Sequence, residues 1–237
     1  MLPITQFPLT RCDCYNDGKF LKPPKGLMIH STATPGVMAL DFAKAWNKSY
    51  KAKETNRQVA TNGFVDNKTI VQCFDWTKRT WHCGKTVGND KYIAFEICEP
   101  SGHYYKRGYG AKMFNYNPVA QQEYFEAIWK NATELSAMLC KMFGWDPLDP
   151  KVLLDHSEGY QLGIASNHGD VSHWFPKHGK SMNDFRAEVY ELLKPESTLL
   201  YRVQAGVFSD KAKATTLANR LKKAGFEAYI ATIEQKG

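Results

Sequence analysis

Apolar positions recur along the chain at two periods, and the switches between them outline its elements. Short apolar runs at 26–30 (GLMIH), 63–66 (GFVD), 69–74 (TIVQCF), 92–98 (YIAFEIC) and 151–156 (KVLLDH) read as strands, two of them ending in a histidine. Met38, Phe42, Ala45 and Trp46 share one face of a helix expected within 36–50. Residues 117–144 carry a long amphipathic helical pattern, with Asn117 as its expected cap, Pro118 at its first position and Gly144 at its end. Ser181, with Asp184 three residues on, opens a helix over 181–193 whose apolar face is Phe185, Val189, Leu192 and Leu193. Strands alternating with helices predict an α/β sheet with helices packed on its faces.

A seam is expected at 195–198, where Pro195 stops the preceding helix, so that a large region (1–194) precedes a small one (199–237). In the small region LLYRVQAGVF reads as a strand, Ser209-Asp210 as a cap, KAKATTLANRLKKAG as a helix ending at Gly225, and FEAYIATIE as a second strand. That order is a single βαβ unit, with seven basic against three acidic residues.

Composition narrows the classes. Of 237 residues 43% are hydrophobic and 23% charged, which supplies a core and excludes a disordered chain. No run approaches the ~18–20 apolar residues of a membrane span, so no membrane partner is expected. The first twenty residues lack a basic segment followed by an apolar one, so no secretory signal is expected. The net charge of +7 favours anionic partners. Its basic residues are scattered and no nucleic-acid motif appears, so nucleic acid is not expected among them. Six cysteines are too few for a disulfide scaffold, and Cys12 and Cys14 have no second pair at zinc-knuckle spacing; they read as ordinary small residues.

The chemistry concentrates in the histidines. His30 and His156 close apolar strands, which places imidazoles at a sheet rim. The loop SNHGDVSHWFPKH adds His168, Asp170, His173 and His178. Three nitrogen or oxygen ligands with an open fourth position make a catalytic zinc site, and His30, His156 and one group of this loop would supply it. Glu99, His103 and His178 read as surface groups, while His173-Trp174 would either line a cleft or pack the loop.

The segments GLMIHSTAT, TWHCG, YIAFEIC, LLDHSEG and SNHGD, in this order, resemble the zinc-dependent N-acetylmuramoyl-L-alanine amidases of the type-2 class, which share their fold with the peptidoglycan recognition proteins. The resemblance covers about residues 20–193 and implies a mixed central sheet flanked by helices. It implies zinc (Zn2+) held by His30, His156 and Asp170, with Glu96 as the catalytic acid and base. His168 stands where the family often has a lysine facing the substrate carbonyl. The spacing from His156 leaves open a swap in which His168 is the ligand and Asp170 its supporting partner. Trp81 and His82 would form a wall of the groove, and Ser31 and Thr32 would reach the peptide or support the ligands. The bond implied is the amide between the lactyl group of N-acetylmuramic acid and L-alanine, cut by zinc-activated water.

The segment YRVQAGVFSDKAKATTLANRLKKAGFEAYI resembles the SPOR family of peptidoglycan-binding domains, which contain two βαβ units where this chain has one. Two strands and a helix bury too little to stand alone, so the unit is expected to dock on the larger region or to pair with a second copy, giving a homodimer. The expected partner is bacterial peptidoglycan. With no signal seen, the chain is expected to be made in the host cytoplasm and to reach the wall after release, as a phage endolysin does with a holin. The alternatives are a host autolysin or sporulation amidase, or a recognition protein that holds peptidoglycan without cutting it.

Overall fold

A computed structural model describes residues 1–194 and 203–233. The chain divides into two compact units, Met1–Pro195 and Glu196–Gly237.

The first unit is built on a sheet of six strands: β1 (Ile4–Gln6), β2 (Gly26–Ser31), β3 (Gly63–Val65), β4 (Ile70–Gln72), β5 (Tyr92–Ile97) and β6 (Leu153–Asp155), in the order β1-β4-β3-β5-β2-β6. Only the β3–β4 pair is antiparallel; the other four pairings are parallel. The sheet is therefore mixed, and its central strands β2 and β5 are buried along their whole length, as expected of strands covered on both faces.

Alternation along each strand divides the interior. Leu27 and Ile29 of β2 and Ile93, Phe95 and Ile97 of β5 face a core shared with α3 (Gln122–Phe143) and α5 (Met182–Leu193). On the other face Phe64 and Val71 meet Phe42 of α1 (Ala39–Trp46), while Met28 and Leu154 join Tyr92 and Ala165. Helix α2 (Thr86–Asn89) is a single turn, and α4 (His156–Gln161) follows β6 directly. Gly26 has a packing reason: a Cβ there would lie 2.1 Å from the Val152 carbonyl oxygen, so the approach of the chain before β6 admits only glycine.

Helix α5 starts as its sequence predicts, with Ser181 and Asp184 forming a reciprocal capping box. Gly144 ends α3 in the left-handed conformation at φ 67°. Four other elements differ from the sequence reading. The long helix begins at Gln122, five residues after Asn117, because the Asn117 side chain accepts from the Val119 and Ala120 N–H groups and closes a separate turn. Helix α1 is shorter than 36–50 and takes its cap from outside: Ala39 N–H donates to Asp66 at 3.0 Å, across the sheet end. His156 does not end a strand; it opens α4 behind Asp155, whose carboxylate and Glu158 form a second capping box. Strand β1 was not expected, since its three residues carry no alternation long enough to register.

In the second unit the helix forms as read: α6 (Lys211–Lys223), capped by Asp210 accepting from Ala212 N–H at 2.7 Å. The flanking segments differ. Among the described residues 203–208 and 226–233 no strand pairing forms, and α6 buries none of its residues. Two short segments with a single helix bury too little to hold a ladder. The remainder of the expected first strand (199–202), the expected linker (195–198) and Glu234 lie outside the described residues.

Candidate functional site

Parallel pairing sets the site. Because β2, β5 and β6 run in one direction, their C-terminal ends open on one edge of the sheet, where ligands of α/β proteins gather. The register places His30 opposite Glu96 and Ile29 opposite Asp155. Paired residues on neighbouring strands share a face, so the imidazole of His30 and the carboxyl of Glu96 project to the same side. His156, one residue past Asp155, reaches the same corner from the first turn of α4.

Asp170 comes from a 3-10 turn over Asp170–His173 and holds φ at 42°, a left-handed value that aspartate tolerates better than most residues. Its carboxylate lies 3.3 Å from His30 Nδ1 and 3.1 Å from His156 Nδ1, and it accepts from Ser31 N–H at 3.2 Å. The two Nδ1 atoms are 3.1 Å apart. Each of the three residues offers one ligand atom, and these atoms lie within 4.8 Å of one another.

A polar partner stands on the far side of each ring. His30 Nε2 lies 3.0 Å from His82 Nδ1, and His156 Nε2 lies 3.2 Å from Ser166 Oγ. Ser166 Oγ donates its one proton to the Cys83 carbonyl at 3.1 Å, which leaves its lone pairs facing His156 Nε2 and His168 Nδ1, the latter at 3.0 Å. An Nδ1 that carries the ring proton donates it to Asp170; a metal would take that place, with the proton on Nε2 towards His82 and Ser166. Two imidazole Nδ1 atoms and a carboxylate converging in a buried corner make an N/N/O donor set for a borderline divalent ion. The residues therefore fit a metal. Gly84 of TWHCG guards this arrangement, since a Cβ there would come within 2.6 Å of Ser166 Oγ.

Electrostatics follow from burial. Burial raises the Asp170 carboxyl, but hydrogen bonds from His156 and His30 outweigh it and hold the group below the usual carboxylate range. Burial lowers His30, and burial followed by the neighbouring His156 lowers His168. Burial, and then the negative charge of Asp170, push Glu96 well above the usual carboxyl range. Its Oε2 is buried without a hydrogen-bond partner among the described residues, as are the Ser31 and Thr32 hydroxyls beside His30.

The structure thus brings His30, His156, Asp170, His82, Ser31 and Glu96 to one corner. His168 stands beside it, its ring 4.7 Å from that of His156, and is not one of the three converging donors. Trp81 is half-buried against the α1 core. Two groups read as surface residues are not so placed: Glu99 and His103 are buried, because Glu99 fastens both sides of the site. Its carboxylate accepts from Ala33 N–H at 3.3 Å, from Tyr105 Oη at 2.8 Å and from His103 Nε2 at 3.0 Å, while Tyr105 Oη meets His173 Nε2 at 2.7 Å. His178 likewise packs inward, stacked on Phe125 and bonded to Tyr116 and Gln122, and Trp174 is wholly buried in the loop's packing. Ser166 was legible only as part of SNHGD, and Tyr105 carried no signal at all. All six cysteines are free and buried.

The larger unit is similar in fold to several solved structures. Staphylococcus aureus hydrolase AmiA in complex with its ligand aligns at TM-score 0.59 and 15% identity, over 81% of this chain and 83% of that one. A mutant endolysin from Bacillus subtilis aligns at 0.54 and 21%, over 80% and 99%. The catalytic domain of XlyA aligns at 0.55 and 19%, over 79% and 99%. No curated protein matches the sequence. Residues 198–237 match the SPOR domain. Residues 20–174, more than half the chain, match the N-acetylmuramoyl-L-alanine amidase family model, and the chain belongs to that family.

Proposed function

We propose that this protein cuts the amide between the lactyl group of N-acetylmuramic acid and the L-alanine of the stem peptide, with zinc held by His30, His156 and Asp170. The observation that carries the reading is the convergence of two imidazole Nδ1 atoms and one carboxylate, opposite a buried Glu96 whose Oε2 has no hydrogen-bond partner among the described residues. Zinc there supplies Lewis acidity and makes water acidic enough to act as a nucleophile near neutral pH.

The protein's own residues do the rest. Glu96 takes a proton from the attacking water and returns one to the leaving amine; its raised pKa suits both tasks. His168 donates to the carbonyl oxygen as negative charge develops there. His82 and Ser166 hold the two ligand rings in orientation. Ser31 and Thr32 offer their unpartnered hydroxyls to the peptide, and Trp81 walls the groove.

The test separates ligand from base. His30→Ala loses both bound zinc and turnover, whereas Glu96→Ala keeps zinc, read by elemental analysis, and loses about 10²–10⁴-fold in rate. Full activity in Glu96→Ala contradicts the assignment. His168→Ala that keeps zinc and turns over slowly supports the oxyanion role; loss of zinc supports its being the ligand instead.

The unit that matches the SPOR domain binds the wall. A homodimer formed through that unit is proposed because, among the described residues, α6 buries none of its own side chains; light scattering tests it, and a monomer at working concentration overturns it. The biological setting proposed is a phage endolysin made in the host cytoplasm and released to the wall through a holin. Lysis from within that requires a co-expressed holin supports it, and lysis without one contradicts it.

A further inference from the structure

Cys12 and Cys14, a C-x-C pair with no place in the metal corner, meet side by side. Their sulfurs lie 3.7 Å apart, within hydrogen-bond distance for thiols. The local backbone holds them there. Cys12 N–H donates to the Leu9 carbonyl and Tyr15 N–H to the Cys12 carbonyl, each at 2.9 Å, so the pair sits in consecutive turns. Asp13, between the two, ties these turns to the chain after α1: its carboxylate accepts from Ser49 Oγ at 2.7 Å and from the Tyr50 and Lys51 N–H groups at 2.8 and 3.0 Å. Residues two apart span at most about 7 Å even in an extended chain, and a turn shortens that, so a disulfide can bridge them.

The two thiols differ in access. A cavity of about 210 Å³, open to solvent, is lined by Cys12 together with Trp46, Lys48, Arg57 and Trp81. Of the six cysteines Cys12 alone lines it, while Cys14 is wholly buried. They differ in acidity too. The hydrogen bond from Cys14 lowers the Cys12 thiol, and the same bond, followed by burial, raises that of Cys14. Burial raises the thiols of Cys73, Cys83, Cys98 and Cys140. A thiol that a small molecule can reach, beside a second thiol able to attack it, is the arrangement of an oxidant-responsive pair.

We infer that Cys12 and Cys14 form a site of oxidation by peroxide, with Cys12 the attacking thiol and Cys14 the resolving one. The Cys12 thiolate attacks one oxygen of hydrogen peroxide; the O–O bond breaks, and hydroxide leaves with the electron pair and takes up the Cys12 proton as water. The Cys14 sulfur then attacks the Cys12 sulfenic acid; the S–S bond forms, the S–O bond breaks, and the Cys14 proton leaves with the oxygen as a second water. Two thiols are oxidised to one disulfide, and one peroxide is reduced to two waters. A small dithiol reverses the change by exchange. The site uses no residue of the metal corner and does not rest on the amidase reading.

The experiment treats the full chain with hydrogen peroxide in stoichiometric steps, blocks the remaining thiols, and maps a tryptic digest by mass. Trypsin cuts after Arg11 and Lys19 and frees residues 12–19, CDCYNDGK, which hold Cys12 and Cys14 and no other cysteine. The expected product is this peptide unblocked and two hydrogens lighter, formed about tenfold faster than any change at the other cysteines. Reduction with dithiothreitol before blocking should return it to the blocked form. Cys14→Ser is expected to stop at the sulfenic acid, trapped on Cys12 by dimedone, and Cys12→Ser to leave Cys14 reduced. The wild-type digest decides the matter even where a variant fails to fold. Residues 12–19 still blocked after another cysteine has reacted, or Cys12 joined to the 69–78 peptide that carries Cys73, overturns the assignment.

Discussion

The two units share a vocabulary of elements but not an interior. In the first, Phe95, Phe125, Phe175 and Phe185 are almost wholly excluded from solvent, and three buried clusters line both faces of the sheet. In the second, Val203 is 92% exposed, Ile233 69% and Phe226 64%, and α6 buries nothing. Both contain a capped amphipathic helix: α5 opens at Ser181, α6 at Asp210. The difference lies in what each helix has to lean on. Helix α5 packs on α3 and on β6, while among the described residues the segments flanking α6 pair in no strand and α6 buries none of its residues. Local signals suffice to start a helix; enough covering layers are needed to turn its apolar face into a core.

The comparison can be broken most directly by truncating one aromatic in each unit. Phe185→Ala should cost about 3–5 kcal/mol of stability in urea unfolding, as expected for a large cavity in a packed core. Phe226→Ala should stay within about 0.5 kcal/mol, as for an exposed position. An equal cost at Phe226 would mean that the second unit has an interior supplied by a partner or a docking face. Deleting the chain from residue 196 should leave the thermal unfolding of the first unit within a degree or two. It should also weaken pull-down on isolated peptidoglycan by about tenfold, equivalent to about 1.4 kcal/mol of binding. Unchanged wall binding would remove the division of labour between the units. The smallest effect sharpens the contrast between the caps. Ser181→Ala should cost about 1 kcal/mol in global unfolding. Asp210→Ala should leave global unfolding unchanged and lower only the helical signal of α6. A global cost at Asp210 would show that the two units unfold together.

Much of the first unit was legible because its strands are apolar runs bounded by turn residues and its helices carry strong start and stop signals. GLMIH, YIAFEIC and the Ser181–Leu193 helix fall close to their predicted places. What failed did so where a distant side chain decides. Helix α1 is capped by Asp66 from beyond β3, and Glu99 is pulled inward by Tyr105, His103 and the Ala33 N–H; no local pattern encodes such partners. At the site, the types and order of His30, Glu96, His156 and Asp170 were readable. The supporting roles of Ser166, and of His82 behind His30, were not, since they depend on a fold that brings residue 82 within 3.0 Å of residue 30.

The central claim is that a metal-assisted amidase acts at the convergence of His30, His156 and Asp170. Mass spectrometry of purified peptidoglycan after digestion, with and without a chelator, tests it most directly. The account predicts free stem peptides beginning at L-alanine, released from intact glycan and abolished by the chelator. Shortened glycan strands, cut cross-bridges, or the same peptides released undiminished in the chelator's presence would contradict it.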